Sequence, residues 1–175
     1  ASSTAPGGVD IERLPANEST LVAATSSATH VSVGASHACA VISGKVRCWG
    51  SGQYGELGDG RSGNSYTSHI PVEAVGITSA TQVAAGSSFT CAIVSGGVMC
   101  WGLDQEGVLG NGPEISSSAT PVAIPELAMV SDLGASVNGS WGRHACAIAS
   151  GVLKCWGSNS RGQLGIGGGV SSSEV

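Results

Sequence analysis

The stretch Cys39-Ala40-Val41-Ile42-Ser43-Gly44-Lys45-Val46-Arg47-Cys48-Trp49-Gly50 decides the fold, because it occurs twice more, as Cys91-Ala92-Ile93-Val94-Ser95-Gly96-Gly97-Val98-Met99-Cys100-Trp101-Gly102 and Cys146-Ala147-Ile148-Ala149-Ser150-Gly151-Val152-Leu153-Lys154-Cys155-Trp156-Gly157. In each copy a Ser-Gly pair stands midway between two apolar runs, the sequence form of a β-hairpin with a two-residue loop. With Ser43-Gly44 as the turn, Ile42 faces Lys45 in a hydrogen-bonded pair and the pairs alternate outward from there. Cys39 then faces Cys48 in a non-hydrogen-bonded pair. Cα atoms so placed are about 4.5 Å apart, inside the range a disulfide spans. The same count joins Cys91 to Cys100 and Cys146 to Cys155.

The cysteine side of each hairpin also carries Val41 with Val46, Ile93 with Val98, and Ile148 with Leu153. The other side sets a small residue against a long one, as in Ala40 with Arg47, Ala92 with Met99 and Ala147 with Lys154. One side is expected in the core, and the other where sheets approach closely. Free buried thiols or a metal site are the rival readings of the cysteines, since His37 and His144 stand two residues before Cys39 and Cys146. Phe89 takes that place in the second copy, however, and no Cys-x-x-Cys occurs, so no metal site is expected.

Composition narrows the classes further. The 175 residues include 28 glycines, 11% charged and 4% aromatic residues, which with short apolar runs indicates strands and turns. A net charge of -5, with seven basic residues scattered singly, argues against nucleic acid. No run of 18 apolar residues is present to span a membrane as a helix. Six cysteines in regular pairs belong to an oxidising compartment, so an extracellular or cell-surface location on the secretory pathway is expected. The start, Ala1-Ser-Ser-Thr-Ala-Pro-Gly-Gly, lacks a basic, apolar leader, so a processed product or part of a longer chain is expected.

Residues 1–17 read as a linker or arm. The first cysteines of the copies, Cys39, Cys91 and Cys146, are separated by 52 and 55 residues, a period that indicates a propeller or solenoid. Three blade-like repeats are expected: 18–68, 69–118, and 119–175 with a C-terminal loop. Segments 21–23, 71–75 and 121–124 are expected to open them, followed by strands at 30–34, 82–86 and, less cleanly, 135–137. The stapled hairpin supplies the last two strands of each four-stranded blade. After each Trp-Gly, a glycine-rich loop brings Leu-Gly at a fixed distance: Leu57-Gly58, Leu109-Gly110 and Leu164-Gly165.

These features together, Gly34-x-x-His37-x-Cys39-Ala40-Val41, Val46-x-Cys48-Trp49-Gly50, the run from Gly52 to Gly60, and Arg161-Gly162-Gln163-Leu164-Gly165, resemble the repeat of the regulator of chromosome condensation family over about residues 18–170. The double-cysteine form is more similar to repeats of secreted and surface proteins. The resemblance implies an all-β fold of three four-stranded blades of a β-propeller, incomplete on its own because the family closes with seven. It also implies guanine-nucleotide exchange, protein-binding, enzyme-inhibiting or light-sensing roles. Trp141 stands where Gly34 and Gly86 stand, and segment 131–140 is lengthened, so an altered first strand or an exposed bulge is expected in the third blade.

Catalytic residues are not apparent. His37 and His144 share a repeat position and are expected to make a structural hydrogen bond within their blades. No Gly-x-Ser-x-Gly stands in a strand-to-helix setting. Asp59, Asp104 and Glu106 are expected as solvated turn residues, with calcium ligation the rival reading. Trp49, Trp101 and Trp156 are expected to pack between blades. Trp141 and Arg143 lie outside the repeat pattern and are the interface candidates, a pairing typical of interface anchors, with core packing the rival reading for Trp141. Asn17 and Asn138 begin Asn-x-Ser sequons and are the candidate glycosylation sites.

The expected function is a non-catalytic extracellular structural or protein-interaction module without cofactor. Its partners would be other protein chains or further blades, in an oligomer or larger assembly. Guanine-nucleotide exchange on a small GTPase and inhibition of an extracellular enzyme are the alternatives.

Overall fold

Each Ser-Gly pair makes a turn in which both residues have positive φ, 52° and 75° at Ser43 and Gly44 and 52° and 79° at the other two. This is the turn whose twist matches that of two antiparallel strands. It fixes Ile42 opposite Lys45 and brings Cys39 opposite Cys48, Cys91 opposite Cys100 and Cys146 opposite Cys155. All three pairs are disulfides, with Cα–Cα distances of 4.1, 4.0 and 4.0 Å.

The computed structural model describes residues 27–112, 116–138, 142–167 and 172–173. The arm 1–17 with Asn17, the strand expected at 21–23, and Trp141 lie outside the described residues. No α-helix occurs among the described residues. Twelve strands among the described residues form three antiparallel sheets. Blade 1 comprises β1 (Ala28–Val33), β2 (His37–Ile42), β3 (Lys45–Ser51) and β4 (Thr67–Glu73). Blade 2 comprises β5 (Ala80–Ala85), β6 (Phe89–Val94), β7 (Gly97–Asp104) and β8 (Ser116–Ile124). Blade 3 comprises β9 (Val130–Ala135), β10 (His144–Ala149), β11 (Val152–Ser158) and the two-residue β12 (Ser172–Ser173).

Three strand expectations are corrected. The segment at 71–75, expected to open a unit, lies partly in β4, which pairs with β3 and so ends the preceding sheet. Likewise 121–124 lies in β8, paired with β7. A repeat fixes the length of a unit but not where the sheet begins, and here the first two sheets take their fourth strands from the start of the next sequence repeat. The strand expected at 135–137 instead ends at Ala135, having begun at Val130. The connection that follows, 136–143, is longer than the equivalent 34–36 and 86–88, as the lengthened segment implies.

Both sides of the middle sheet are buried. The cysteine side of blade 1, with Val41, Val46 and Ala74, packs on Ala92, Met99 and Trp101 of blade 2. The cysteine side of blade 2, with Ile93, Val98 and Ile124, packs on Ala145, Ala147 and Trp156 of blade 3. Every seam therefore joins a cysteine face to the alanine-tryptophan face of the next blade. Small alanines let the sheets approach, and the tryptophan fills the remaining width.

Candidate interaction site

Each seam is locked by the tryptophan that follows the second cysteine. The Trp101 indole Nε1 donates to the Glu56 carbonyl at 2.8 Å, and that of Trp156 donates to the Val108 carbonyl at 2.8 Å. Both acceptors directly precede the leucine of the glycine-rich loop, Leu57 or Leu109, which is fully buried. Close approach requires the glycine that follows: a Cβ on Gly58, whose φ is +73°, would stand 2.7 Å from Trp101 Nε1. Trp101 and Trp156 thus pack between blades as their repeat position predicts.

His37 belongs to the same seam. Its Nε2 lies 2.8 Å from Thr90 Oγ1, and the Thr90 hydroxyl lies 2.9 Å from the Glu56 carbonyl. A carbonyl only accepts, so the single Thr90 proton goes to Glu56 and His37 donates through Nε2. Its Nδ1 is buried and has no hydrogen-bond partner among the described residues. Burial drives the imidazole pKa down to about 4, so His37 is neutral at physiological pH. The expected bond within the blade is corrected: it crosses to the next one. The His144 imidazole makes a local contact, Nδ1 to the Gly142 carbonyl at 3.5 Å.

The loops after β3 and β7 and the start of β10 converge. Glu56 is buried, and its carboxylate accepts from the Tyr54 amide at 2.8 Å. Desolvation raises its pKa, against the hydrogen bonds it receives and the attraction of the Arg143 charge. Arg143 donates through Nη1 to Gln105 at 2.5 Å and through its amide to Glu106 at 3.3 Å. One of the two interface candidates therefore ties blade 3 to the preceding loop within the chain. Glu56 carried no sequence signal, because Val108 and Gln163 share its position and the group that acts there is a main-chain carbonyl.

The carboxylates have structural partners. Burial alone would raise Asp59, but hydrogen bonds from Tyr66 and Arg61 outweigh it and hold the carboxyl below its usual range. The Arg61 guanidinium lies over the Tyr66 ring, 4.6 Å from its centre. Asp104 is not solvated, as expected, but buried, and its Oδ1 accepts from the Leu109 amide at 3.1 Å. Asn159 does the same for Leu164 at 3.1 Å. Among the described residues no group of three or more His, Cys, Asp or Glu could hold a metal ion. No helix among them is long and apolar enough to cross a membrane. Asn138 is exposed.

Among the described residues, the two end faces leave apolar repeat positions uncovered. Val31 and Val33 of blade 1 are 64% and 68% exposed, whereas Val83 and Ala85, their counterparts in blade 2, are 1% and 2% exposed. In blade 3, Leu153 is 68% exposed, whereas its counterparts Val46 and Val98 are sealed within seams. Exposed apolar surface of this kind marks an interaction site.

Stapled four-stranded blades, packed face to back and latched by indole-to-carbonyl bonds, define a β-propeller protein. The chain belongs to the family built from the regulator of chromosome condensation (RCC1) repeat, whose models match residues 43–93 and 80–108. The first match runs from the turn of blade 1 to β6 of blade 2, which shows the same offset between repeat and sheet. The chain is 33% identical over 141 residues to the ultraviolet-B receptor UVR8 of Arabidopsis thaliana, covering 78% of this chain and 31% of that protein. It is 33% identical over 132 residues to an RCC1-like G exchanging factor-like protein of Mus musculus, covering 71% of this chain and 28% of that one. The structure of Prp20p from Saccharomyces cerevisiae, described with its binding to Gsp1p and histones, superimposes with a TM-score of 0.71 at 18% identity, covering 85% of this chain and 37% of that one. The chain thus spans about a third of the length of these relatives.

Proposed function

We propose that this chain is a non-catalytic protein-interaction module of an oxidising, extracellular compartment that works within a larger propeller or assembly. The observation that carries this reading is the pair of open end faces, where repeat positions sealed inside the molecule stand uncovered. An apolar sheet face of this size calls for a protein surface rather than a small polar ligand. The three disulfides support the location, since thiols in the cytosol are kept reduced. Other proteins, or further blades, are the partners that fit.

The test is thiol alkylation of the protein in its native setting without reductant, combined with its native mass. None of the six cysteines should react, and the mass should exceed the 17.1 kDa of the chain. Six reactive thiols would overturn the location, and a 17.1 kDa particle the assembly.

Guanine-nucleotide exchange is the second reading, favoured by the name of the mouse relative alone. Accelerated release of labelled GDP from a small GTPase would support it over the first.

A further inference from the structure

The loop that joins β3 to β4 carries, at 60–65, the longest run of exposed residues among those described, and Arg61 and Ser62 stand within it. Of the other described basic residues, Lys45, Arg47 and Lys154 lie in strands whose backbone is tied into ladders. Arg143 directly precedes β10, with its amide held by Glu106. Arg161 is exposed, but its exposed run covers only 160–162, and its amide is bound to the Gln163 side chain at 2.8 Å. The tip at 61–65 is open with its neighbour in place. The loop leans on blade 2, where the Gly60 amide donates to the Ala119 carbonyl at 2.9 Å and a Cβ on Gly55 would stand 2.6 Å from Ala119 Cα. Ser68 pairs with Gly50 as Ser118 does with Gly102, so His69 is the counterpart of Ala119. By the same rule a preceding blade would lean on His69 and leave the tip uncovered.

A clamp holds this tip. Asp59, whose side chain is 6% exposed, accepts from Arg61 Nε at 2.9 Å, from Nη2 at 2.5 Å and from the Arg61 amide at 3.1 Å, and it also accepts from the Tyr66 hydroxyl. The Arg61 guanidinium lies over the Tyr66 ring as well. An exposed tip is where a peptidase enters, but the chain must be drawn out along the cleft before it is cut. Releasing Asp59 frees both the arginine that a peptidase would read and the loop that it must extend.

We propose that the Arg61–Ser62 peptide bond is a processing site for an arginine-specific peptidase of the trypsin type, guarded by the Asp59 clamp. Water gives its hydroxyl to the Arg61 carbonyl carbon and a proton to the Ser62 nitrogen as the bond between them breaks, with no change of oxidation state. The two pieces stay in one particle, because β4 remains paired with β3 and Trp101 remains latched to the Glu56 carbonyl. No disulfide spans the cut, since Cys39–Cys48 lies in the first piece and Cys91–Cys100 and Cys146–Cys155 in the second. The nick therefore divides blade 1 between two polypeptides held only by hydrogen bonds and packing. This inference is independent of the compartment and partners proposed above.

The test is brief digestion of the intact, oxidised chain with dilute trypsin, read by N-terminal sequencing and by native and denaturing mass, beside Arg61→Gln, Asp59→Asn and Tyr66→Phe. The first new N-terminus within residues 27–173 should be Ser62, and Arg61→Gln should abolish it. Asp59→Asn should quicken this cut about tenfold or more, because cleavage follows the population of the opened loop, while cutting after Arg161 keeps its rate. Tyr66→Phe removes a single bond of the clamp and should quicken the cut severalfold, which keeps the clamp testable if Asp59→Asn does not fold. The nicked chain should keep the native mass of the uncut one and separate into two pieces in denaturant without reductant. A first cut elsewhere overturns the proposal, as does an unchanged rate in both clamp variants or pieces that part under native conditions. Equal acceleration after Arg161 would mean general loosening and would remove the clamp.

Discussion

The imidazole of His37 donates to the Thr90 hydroxyl across the first seam, 2.8 Å from Nε2 to Oγ1, while its other nitrogen is sealed without a partner among the described residues. Protonation would place a charge on that buried nitrogen. The folded pKa of about 4 lies below the ordinary imidazole value of 6.5, so the unfolded chain binds the proton first as pH falls. Stability present above pH 6.5 should therefore be lost between about pH 6.5 and 4, by up to roughly 3 kcal/mol. Glu56 acts in the opposite sense, because its raised pKa makes the folded chain accept a proton more readily as pH falls. Urea midpoints of the chain and of His37→Phe, which places there the residue found at Phe89, should diverge in slope across that window. Parallel slopes would exclude His37 as the source.

Equivalent tryptophans should differ in weight. Trp101 is fully buried and hydrogen-bonded, whereas Trp49 is half-buried on an open face. Replacing Trp101 by alanine should cost about 3–5 kcal/mol in the single chain, and replacing Trp49 under about 1 kcal/mol. Denaturant unfolding at low concentration measures both, and equal losses would contradict the seam assignment.

Accessibility should order the reduction of the staples. The sulfurs of Cys39–Cys48 and Cys91–Cys100 are sealed in seams, while Cys146 and Cys155 are half-exposed on the end face of blade 3. A thiolate must reach the sulfur it attacks. Brief treatment with dithiothreitol followed by alkylation and peptide mapping should label Cys146 and Cys155 first. Converting both Cys91 and Cys100 to alanine should cost roughly 2–3 kcal/mol through the freedom returned to the unfolded chain.

The turns hold a modest reserve of stability. Ser43 has φ of 52°, a conformation that asparagine adopts more readily than serine. Its side chain is exposed, so Ser43→Asn should stabilise the chain by about 0.5 kcal/mol, seen as a raised urea midpoint with unchanged slope.

Local chemistry made the hairpins legible from sequence: Ser43-Gly44 sets the turn, the turn sets the register, and the register brings Cys39 to Cys48. Which sheet a strand joins is decided by distant packing, so Pro71 and Pro121 were placed at the head of a unit when their strands complete the one before. The same blindness affected His37, whose partner Thr90 lies 53 positions away. Asp104 reads as a solvated residue in the sequence because nothing local shows the loop folding back over it. The latch was only half visible, since Trp101 stands out in the sequence while the carbonyl it seeks has no side-chain signature.

Every covalent rung closes over nine positions inside one hairpin. A whole unit could therefore be duplicated or deleted in the gene without stranding a single sulfur, so this architecture can lengthen or shorten over evolutionary time while its oxidative folding pathway stays the same.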